Sequence, residues 1–327
     1  MKVAQFSSTG KAENVIESIE VPNLPDPDNN EVLIDVLACP INPADLLTIE
    51  GGYGVKPNLP ARLGAECIGK VVKVGSSVQG FKKGDIVLPL DRENWVQQKL
   101  VTQDNLILLP SNIDINQLSM LKVNPATAYL MLNKYVNLKT GDWIIQDAAN
   151  SGVGQSIIRL AKIKGIKTIN IVRRKELTQE LKNIGADIVL QDSKDLAEEV
   201  KDLTNGADVK LAIDAIGGDI ILRLGNCLAD ESTILNYGLL SGKNIEISAY
   251  QTVFKRLLLT GFWLSPWLQK MERAEIFKMY HYLAELISKN SLYVPVEKTY
   301  NLDDIKMAVK HSSNYSRSGK IIITPNG

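Results

Sequence analysis

Apolar residues in the first 110 positions form short runs in which apolar and polar side chains tend to alternate. Such runs lie at 32–38, 68–74 and 85–88, and turn residues such as those at 25–27 separate them. Short strands with Gly, Pro and Asp turns between them are typical of a compact barrel-like β domain. The pattern therefore predicts a first part built mostly of strand.

From residue 115 onward the pattern changes to apolar runs that alternate with segments of helical periodicity. The apolar runs lie at 143–146, 168–172, 187–190, 210–214 and 232–237. Strands that alternate with helices need right-handed crossover connections, which produce a parallel sheet covered by helices on both faces. This part is therefore predicted to be a doubly wound α/β domain.

The end of the chain returns to a pattern dominated by strand. We predict a strand at 293–296, a helix at 302–309 and a strand at 320–324, and we expect this tail to rejoin the first domain. We predict a β-rich domain that comprises residues 1–115 and 290–327. The doubly wound domain is predicted to comprise residues 116–289.

The composition fits two domains of ordinary size that act on a small molecule. The chain has 327 residues, and its 37 Lys and Arg residues balance its 37 Asp and Glu residues without a block of like charge. Nothing in this balance favours nucleic acid or a membrane surface as a partner. We therefore expect a small-molecule partner.

The cysteines and the first residues bear on the compartment. Cys39, Cys67 and Cys227 are far apart and form no CxxC pair, which argues against a disulfide framework and against a structural zinc site. Residues 1–6 read directly as a strand, without the basic start and apolar core of a signal peptide. These features lead us to expect a cytoplasmic protein.

A turn of small residues follows the apolar run 143–145 and opens a helix-patterned segment. The turn, 147–155, places Ala149, Ser151 and Gly154 where a strict G-x-G-x-x-G motif would have glycines. Such a turn lets backbone N–H groups and the helix dipole approach a pyrophosphate. By itself, however, the turn predicts a tight structural turn as readily as a dinucleotide site.

The residues after the next strand bear on the choice of dinucleotide. The β-branched run 167–172 lies one helix later, as a βαβ unit requires, and Arg173, Arg174 and Lys175 follow it. NAD enzymes place a carboxylate there to bind the ribose hydroxyl, whereas guanidinium groups bind a 2′-phosphate. This arrangement favours NADPH over NADH. The alternative is a solvated basic patch at the start of a helix.

Several motifs together resemble a known family over essentially the whole chain. They lie at 41–45, 51–54, 123–129, 150–155 and 261–265, and they include a Gly-Tyr-Gly and a Gly-Phe-Trp-Leu-Ser sequence. The set resembles the medium-chain dehydrogenase/reductase superfamily, in its zinc-free branch related to quinone oxidoreductases. Within that branch it is similar to the trans-2-enoyl thioester reductases of the mitochondrial enoyl-CoA or enoyl-ACP reductase type.

The resemblance implies a GroES-like β-rich domain joined to a Rossmann domain, and it implies a proton donor. Tyr53 matches the position of the family's donor, and a phenol is protonated at neutral pH. Without the resemblance, a tyrosine flanked by glycines is more often a turn or packing residue.

The resemblance also implies a set of NADPH contacts in several short stretches. The matching residues are Asn124, Asn150, Ser151, Gly152, Val153, Arg173, Arg174, Lys175, Tyr237, Gly238, Leu239, Leu240, Phe262, Trp263, Leu264, Ser265 and Lys320. Asn124 could equally be a helix cap, and Lys320 a solvated lysine at the start of a strand. Trp263 and Trp267 could line an acyl pocket, although aromatic residues there are more often core or interface.

Two departures matter for the chemistry. The alcohol dehydrogenases of the superfamily carry Gly-His-Glu where this chain has 64–66, and their upstream thiolate position falls in 40–43, which has no cysteine. We therefore predict no catalytic metal, and we interpret His281 and His311 as ordinary surface or interface residues.

The second departure is the segment 88–95, which is shorter and more charged than the corresponding loop of the family. Val96 follows at a position where the family usually has an arginine. That departure leaves open the acyl-chain length of the substrate and the choice between CoA and acyl carrier protein.

The predicted function is NADPH-dependent reduction of the C2–C3 double bond of trans-2-enoyl thioesters, with a hydride added at C3 and a proton from Tyr53 at C2. The alternative is an NADPH:quinone oxidoreductase or a reductase of small enones, and a third possibility is a silent binding protein that retains the nucleotide fold. The run from 245 to 259 predicts a sheet edge, so we expect a homodimer.

Overall fold

The computed structural model describes residues 1–314 and 316–327. Its strands are β1 (Lys2–Phe6), β2 (Ile16–Glu20), β3 (Glu31–Pro40), β4 (Ala61–Arg62), β5 (Ile68–Val74), β6 (Ile86–Pro89), β7 (Gln98–Thr102), β8 (Leu106–Leu109), β9 (Trp143–Gln146), β10 (Lys167–Val172), β11 (Ile188–Gln191), β12 (Val209–Asp214), β13 (Thr233–Asn236), β14 (Leu258–Gly261), β15 (Val296–Tyr300) and β16 (Lys320–Ile323).

The helices alternate with these strands mainly in the middle of the chain. They are α1 (Ala12–Val15), α2 (Pro43–Glu50), α3 (Ile115–Ser119), α4 (Asn124–Lys134), α5 (Gly152–Lys164), α6 (Thr178–Ile184), α7 (Leu196–Leu203), α8 (Ile220–Cys227), α9 (Leu264–Lys270), α10 (Arg273–Ser288) and α11 (Ile305–Ser312). Among the residues that the structure describes, no helix combines the length and the apolar character that a membrane crossing needs.

The chain forms two compact units. Unit 1 comprises Met1–Val123 and Glu272–Gly327, and unit 2 comprises Asn124–Met271. The sequence placed the boundaries after 115 and after 289, so α3 and α10 fall in the other unit. Helix α10 packs on β8 and α3, and its Tyr280 hydroxyl donates to the carbonyl oxygen of Lys122 at 3.1 Å. Helical periodicity predicts which face of a helix is buried, but it does not predict which sheet that face packs against.

Unit 1 contains two sheets that enclose its core. One has the order β15-β16-β3-β5-β6-β8, with β7 also paired to β3, and the other has the order β2-β1-β4. Trp95 and Phe6 are fully buried in this unit. The strand predicted at 293–296 is wrong, because β15 begins only at Val296. Pro295 has no N–H to donate to a ladder, which prevents an earlier start.

Unit 2 is built on one parallel sheet with the order β11-β10-β9-β12-β13-β14. Its inner strands are largely apolar and buried, as in Ile145 of β9, which lies beside Ile169 of β10 and Ala212 of β12. The chain moves outward from β9 in one direction and then returns to β12 on its other side. In such sheets, ligands bind at the carboxyl ends of the strands where the order reverses. The predicted fold class is confirmed.

Candidate active site

The small-residue turn joins β9 to α5 at the point where the strand order reverses. Ser151 caps the helix, and its Oγ accepts a hydrogen bond from the backbone N–H of Gly154 at 3.1 Å. A Cβ added at Gly154 would lie 2.6 Å from the carbonyl oxygen of Ala149, so a side chain does not fit there. The tight turn directs the N-terminal end of α5 toward the carboxyl end of the sheet, as a dinucleotide site requires.

Asn124 borders this turn. A Cβ added at Gly152 would lie 3.2 Å from the Asn124 side-chain amide, which shows how closely the two residues approach. The Asn124 Nδ2 atom is buried and has no hydrogen-bond partner among residues 1–314 and 316–327. A buried donor without a protein partner is costly. It is therefore suited to an acceptor on a bound molecule.

The three basic residues follow β10, the neighbour of β9. Arg173, Arg174 and Lys175 are exposed, and the carbonyl oxygen of Arg173 accepts a hydrogen bond from Gln191 Nε2 at 3.1 Å. The backbone N–H of Ala149 donates to the carbonyl oxygen of Ile171 at 3.3 Å, which places the small-residue turn beside the end of β10. The structure therefore brings the turn and the basic residues to one edge of the sheet.

The segment after β13 runs along the end of β12. The backbone N–H of Tyr237 donates to Asp214 O at 2.8 Å, and that of Leu240 donates to Ala215 O at 3.1 Å. A Cβ added at Gly238 would lie 2.5 Å from Ala215 O, so only glycine allows this approach. Burial, and then the nearby Asp147 carboxyl, raise the pKa of Tyr237. Residues 237–240 thus lie at the same edge as the turn.

Two buried carboxyl groups, which the sequence did not indicate as functional residues, lie beneath these segments. Asp147 follows β9 and Asp214 ends β12, the two strands between which the order reverses. Asp147 Oδ1 accepts a hydrogen bond from the backbone N–H of Ala215 at 2.8 Å, and Asp214 Oδ1 accepts one from that of Gly217 at 2.9 Å. Burial, and then Asp214, raise the pKa of Asp147 well above its ordinary value, which favours its protonated form. Their positions at strand ends were the available signal.

The last predicted stretch of unit 2 follows β14 and is supported by aromatic contacts. Phe262 is buried, and its backbone N–H donates to Asn236 O at 2.8 Å, whereas Trp263 is exposed at the start of α9. Trp267 Nε1 donates to the Tyr135 hydroxyl at 3.0 Å, and the two rings meet edge to face. Trp267 therefore has a structural role in this packing. Leu264 and Ser265 are half-buried in the first turn of α9.

Tyr53 lies in unit 1, just after α2. The helix ends at Gly51, which has a φ of +80°, and the backbone N–H of Tyr53 then donates to Leu47 O at 3.1 Å. The left-handed conformation at Gly51 is what turns the chain at this point. The Tyr53 ring is half-buried, and the guanidinium carbon of Arg92 lies 5.3 Å from its centroid. The phenol is thus held at a defined position at the end of a helix.

Lys320, predicted as a cofactor contact, is buried inside unit 1. Its Nζ donates to Asn42 Oδ1 at 2.6 Å and to Ile41 O at 3.0 Å. The Asn42 amide in turn donates to Glu66 Oε1 at 2.8 Å, and Glu66 Oε2 accepts a hydrogen bond from the Val123 N–H at 2.8 Å. An ammonium group, an amide and a carboxyl group therefore form one buried chain of hydrogen bonds.

Burial shifts the titration of this chain of groups in opposite directions. It raises the pKa of Glu66 to about 7 and lowers the pKa of Lys320 to about 8, while each charge partly offsets the shift of the other. Burial also lowers the pKa of Lys122 to about 8; its Nζ donates to Ala65 O at 2.7 Å. In the structure, Lys320 thus makes internal contacts, and its predicted cofactor contact stays a prediction.

The comparisons with known proteins agree with this geometry. Residues 28–104 match the family described as alcohol dehydrogenase GroES-like domain, and residues 152–280 match the family described as zinc-binding dehydrogenase. The chain is 36% identical to a mitochondrial enoyl-acyl-carrier-protein reductase from Dictyostelium discoideum, over 99% of this chain and 93% of that protein. The chain belongs to the enoyl reductase family of the medium-chain dehydrogenase/reductase superfamily. The family predicted from the sequence is therefore confirmed.

Solved structures extend the comparison over the whole fold. The complex of Etr1p with NADP and crotonyl-CoA has a TM-score of 0.89 and 26% identity, and the match covers 99% of each chain. A quinone oxidoreductase from Escherichia coli in complex with NADPH also has a TM-score of 0.89 and 26% identity, and the match covers 99% of this chain and 100% of that one. Proteins of both kinds thus share this fold.

The relatives correct one prediction. The cytoplasmic location expected from the sequence is contradicted, because the Dictyostelium relative and other enoyl reductase relatives are named as mitochondrial proteins. The expectation rested on unpaired cysteines and on a first segment unlike a signal peptide. Unpaired cysteines are typical of any reducing compartment, so they do not distinguish the cytoplasm from another such compartment.

The residues at the superfamily's zinc positions do not fit a zinc ion. Ala65 offers only a methyl group, and Asn42 Oδ1 already accepts a hydrogen bond from the buried ammonium of Lys320. Zinc prefers thiolate and imidazole ligands, and a cation adjacent to the site would repel it. Within residues 1–314 and 316–327, no group of three or more His, Cys, Asp or Glu residues could hold a metal ion.

Proposed function

We propose that this chain reduces the C2–C3 double bond of trans-2-enoyl thioesters with NADPH. The observation that carries the proposal is the placement of Tyr53 by the end of α2, in a chain whose relatives include enoyl reductases. Crotonyl-CoA, the acyl-CoA in the complex of the structural relative Etr1p, is such a thioester. A half-buried phenol that is fixed by the backbone is suited to deliver a proton to one face of a substrate.

Several features of unit 2 support the binding of a phosphorylated dinucleotide. The turn at Ser151 and Gly152 would hold the pyrophosphate, and the unpartnered amide of Asn124 would donate to the cofactor. Arg173 and Arg174 would bind the 2′-phosphate through charge-assisted hydrogen bonds, with Lys175 adding positive charge. Residues 237–240 and 262–265 would complete the site. When bound, NADPH supplies the hydride for C3.

Tyr53 completes the reduction at C2. After C3 has gained a hydride, the electron pair of the former double bond lies in the thioester enolate, and C2 then takes the proton from the Tyr53 hydroxyl. The new C–H bond forms as the O–H bond breaks, and the phenolate that remains regains a proton from water. General acids of this kind contribute roughly 100- to 10,000-fold to a rate.

A substitution of Tyr53 tests the proposal. Tyr53→Phe removes only the hydroxyl, so we expect the kcat for crotonyl-CoA to fall by roughly 100-fold or more, measured by the loss of NADPH absorbance. Tyr293→Phe, at an exposed tyrosine of the same unit, serves as the matched control and should keep full activity. Unchanged turnover of crotonyl-CoA by Tyr53→Phe would reject the proposed role.

The structural likeness to a quinone oxidoreductase supports a second candidate function, the reduction of quinones or small enones with NADPH. Quinone reduction does not need a phenolic donor, so Tyr53→Phe should leave it largely intact. A screen of NADPH and NADH against crotonyl-CoA, a longer enoyl-CoA and a quinone distinguishes the two functions. Turnover of the quinone alone would favour the second candidate, and equal use of NADH would contradict the role of the basic residues.

We also propose that the chain forms a homodimer through the edge of the unit 2 sheet. Strand β14 is the last in the sheet order, and apolar side chains near it are more than half exposed, namely Tyr250, Val253, Phe254 and Leu258. Pairing with a second copy would cover this surface and the strand edge.

Light scattering of two variants tests the dimer. Phe254→Asp should convert a dimer into a monomer, whereas Phe277→Asp, at an exposed phenylalanine of unit 1, should leave the mass unchanged. A monomeric mass for the unmodified chain at micromolar concentration would contradict the proposal.

A further inference from the structure

We propose that Arg92 is a positioning residue for Tyr53, with a guanidinium group that orients the ring and stabilises the phenolate left after proton transfer. This inference rests on the proposed function, because it assigns Arg92 a role in the step that Tyr53 performs.

The two side chains are in direct electrostatic contact. The guanidinium carbon of Arg92 lies 5.3 Å from the centroid of the Tyr53 ring, within the range of a cation–π interaction. The face of a neutral phenol attracts a cation weakly, and a phenolate attracts it far more strongly because it carries a full negative charge. Arg92 therefore stabilises the state after proton transfer more than the state before it.

Hydrogen bonds from two lysines, Lys99 and Lys122, anchor the loop that carries Arg92. Lys99 Nζ donates to Asp91 Oδ1 at 2.8 Å and also to the carbonyl oxygen of Arg92 itself. Lys122 Nζ donates to the carbonyl oxygen of Asp91 at 2.6 Å, and Asn94 Nδ2 donates to the same oxygen at 3.1 Å. These hydrogen bonds fix the backbone at the carbonyl groups of Asp91 and Arg92. The position from which the Arg92 side chain extends is therefore defined.

A buried carboxyl group adds a second constraint on the Arg92 side chain. Asp45 is fully buried and accepts hydrogen bonds from the N–H groups of Asn42 and Ala65, each at 2.9 Å. Burial raises the pKa of Asp45, and the positive charge of Arg92 is the largest of the effects that oppose the rise. The guanidinium group is therefore attracted by Asp45 while it lies over the Tyr53 ring.

The consequence for the reaction follows from charge alone. The proton that leaves the Tyr53 hydroxyl forms the C2–H bond of the product and leaves one negative charge on the phenolate oxygen. Arg92 is a charged partner that the structure places over that ring. The loss of this cation should therefore slow proton transfer without weakening the binding of the thioester.

A double-mutant cycle tests the inference. Arg92→Met keeps the length and apolar stem of the side chain and removes its charge, so we expect kcat for crotonyl-CoA to fall by roughly 10- to 100-fold. In the Tyr53→Phe background the same change should cause no further loss, because the phenol on which Arg92 acts is gone. Arg92→Lys should recover part of the lost activity, and Glu93→Gln in the same loop is the matched control.

A binding measurement separates this role from substrate recognition. The dissociation constant of butyryl-CoA, the saturated product, should stay within about twofold in Arg92→Met when measured by calorimetry. A weaker affinity for butyryl-CoA would overturn the inference in favour of a contact with the carrier.

Two further outcomes would also overturn it. They are an unchanged kcat in Arg92→Met, and an equal loss in both backgrounds. If Tyr53→Phe itself retains full activity, the proposed function fails first. If Tyr53→Phe is inactive while Arg92→Met is fully active, only the role of Arg92 fails.

Discussion

The two units bury charged groups in opposite ways. Unit 1 combines both signs, because the carboxyl groups of Asp45 and Glu66 share its interior with the ammonium groups of Lys122 and Lys320. Unit 2 buries two groups of the same kind, Asp147 and Asp214, at the ends of neighbouring strands. The difference lies in what compensates each charge. In unit 1 cationic neighbours partly offset the effect of burial on Glu66 and Asp45, whereas in unit 2 burial and Asp214 both raise the pKa of Asp147 and favour its protonated form.

This difference predicts the kind of change to which the stability of each unit is most sensitive. A buried carboxylate with a cationic neighbour depends on that neighbour, so removal of the cation leaves an uncompensated charge. Two adjacent carboxyl groups cannot both ionise cheaply, so the pair depends on keeping a proton. Unit 1 should therefore be most sensitive to loss of a partner, and unit 2 to a rise in pH. Three substitutions test this contrast.

The largest expected effect comes from Lys320→Met. The change removes the ammonium group that donates to Asn42 and leaves Glu66 without its main source of positive potential. Loss of one member of a buried charge pair costs about 3–5 kcal/mol, so we expect a decrease of that size in the free energy of unfolding. Urea denaturation followed by the fluorescence of the buried Trp95 measures it.

Lys310→Met is the control for this substitution, because Lys310 is an exposed lysine of the same unit. It should change the free energy of unfolding by less than about 0.5 kcal/mol. If Lys320→Met were no more destabilising than the control, the ammonium group would not compensate a buried charge.

A smaller effect is expected in the pH dependence of Glu66→Gln. The pKa of Glu66 is raised from 4.5 to about 7, so unfolding releases a proton between these pH values and stability falls as pH rises through that window. The variant lacks this titration. The stability of the unmodified chain relative to the variant should therefore decrease by up to about 3 kcal/mol from pH 4.5 to pH 7, and stay level above pH 7.

Urea denaturation at a series of pH values measures this difference, and Glu20→Gln, at an exposed glutamate, provides the control slope. A relative stability that rises with pH would show that Glu66 is ionised throughout and that its positive neighbours outweigh burial.

The smallest effect, with the opposite sign, is expected from Asp147→Asn. Burial and the neighbouring Asp214 raise the pKa of Asp147, so its titration makes stability fall as the pH rises above the ordinary aspartate pKa. An amide has nearly the same shape and needs no proton. We therefore expect Asp147→Asn to be neutral or to stabilise by about 1 kcal/mol at pH 8, with a smaller gain at pH 5.

Asp208→Asn, at an exposed aspartate of unit 2, is the matched control and should show no change of this kind between the two pH values. Destabilisation by Asp147→Asn as large as that expected for Lys320→Met would end the contrast between the units, because it would mean that Asp147 acts as a compensated anion.

Much of the fold could be predicted from local patterns. The β-branched runs in the middle of the chain correspond to the strands of a parallel sheet, and β5 has the predicted bounds, Ile68–Val74. The apolar face of α10, with Ile276, Met279 and Leu283, is buried as its periodicity indicates. These features could be predicted because periodicity depends only on neighbours in the chain. The prediction of a strand at 293–296 was wrong because it relied on the apolar pattern and gave too little weight to the missing N–H of Pro295.

The candidate site divides in the same way. The turn at Ser151 and the basic residues after β10 have local signatures, so the sequence could indicate them. Tyr53 lies in a recognisable motif, but its contact with Arg92 has no local signature because the two residues are far apart in the chain. The same is true of Lys320 and Asn42, whose separation along the chain is 278 residues.

By itself, then, the amino-acid sequence determined the alternation of strands and helices, the small-residue turn before α5 and the family, because these depend on local period, turn chemistry and motif. Only the tertiary structure decided which charges share an interior, which helix covers which sheet, and which side chain lies over the phenol of Tyr53. The physical reason is range. Backbone preferences act over a few residues, whereas burial and electrostatic pairing depend on distances in space that the order of residues does not state.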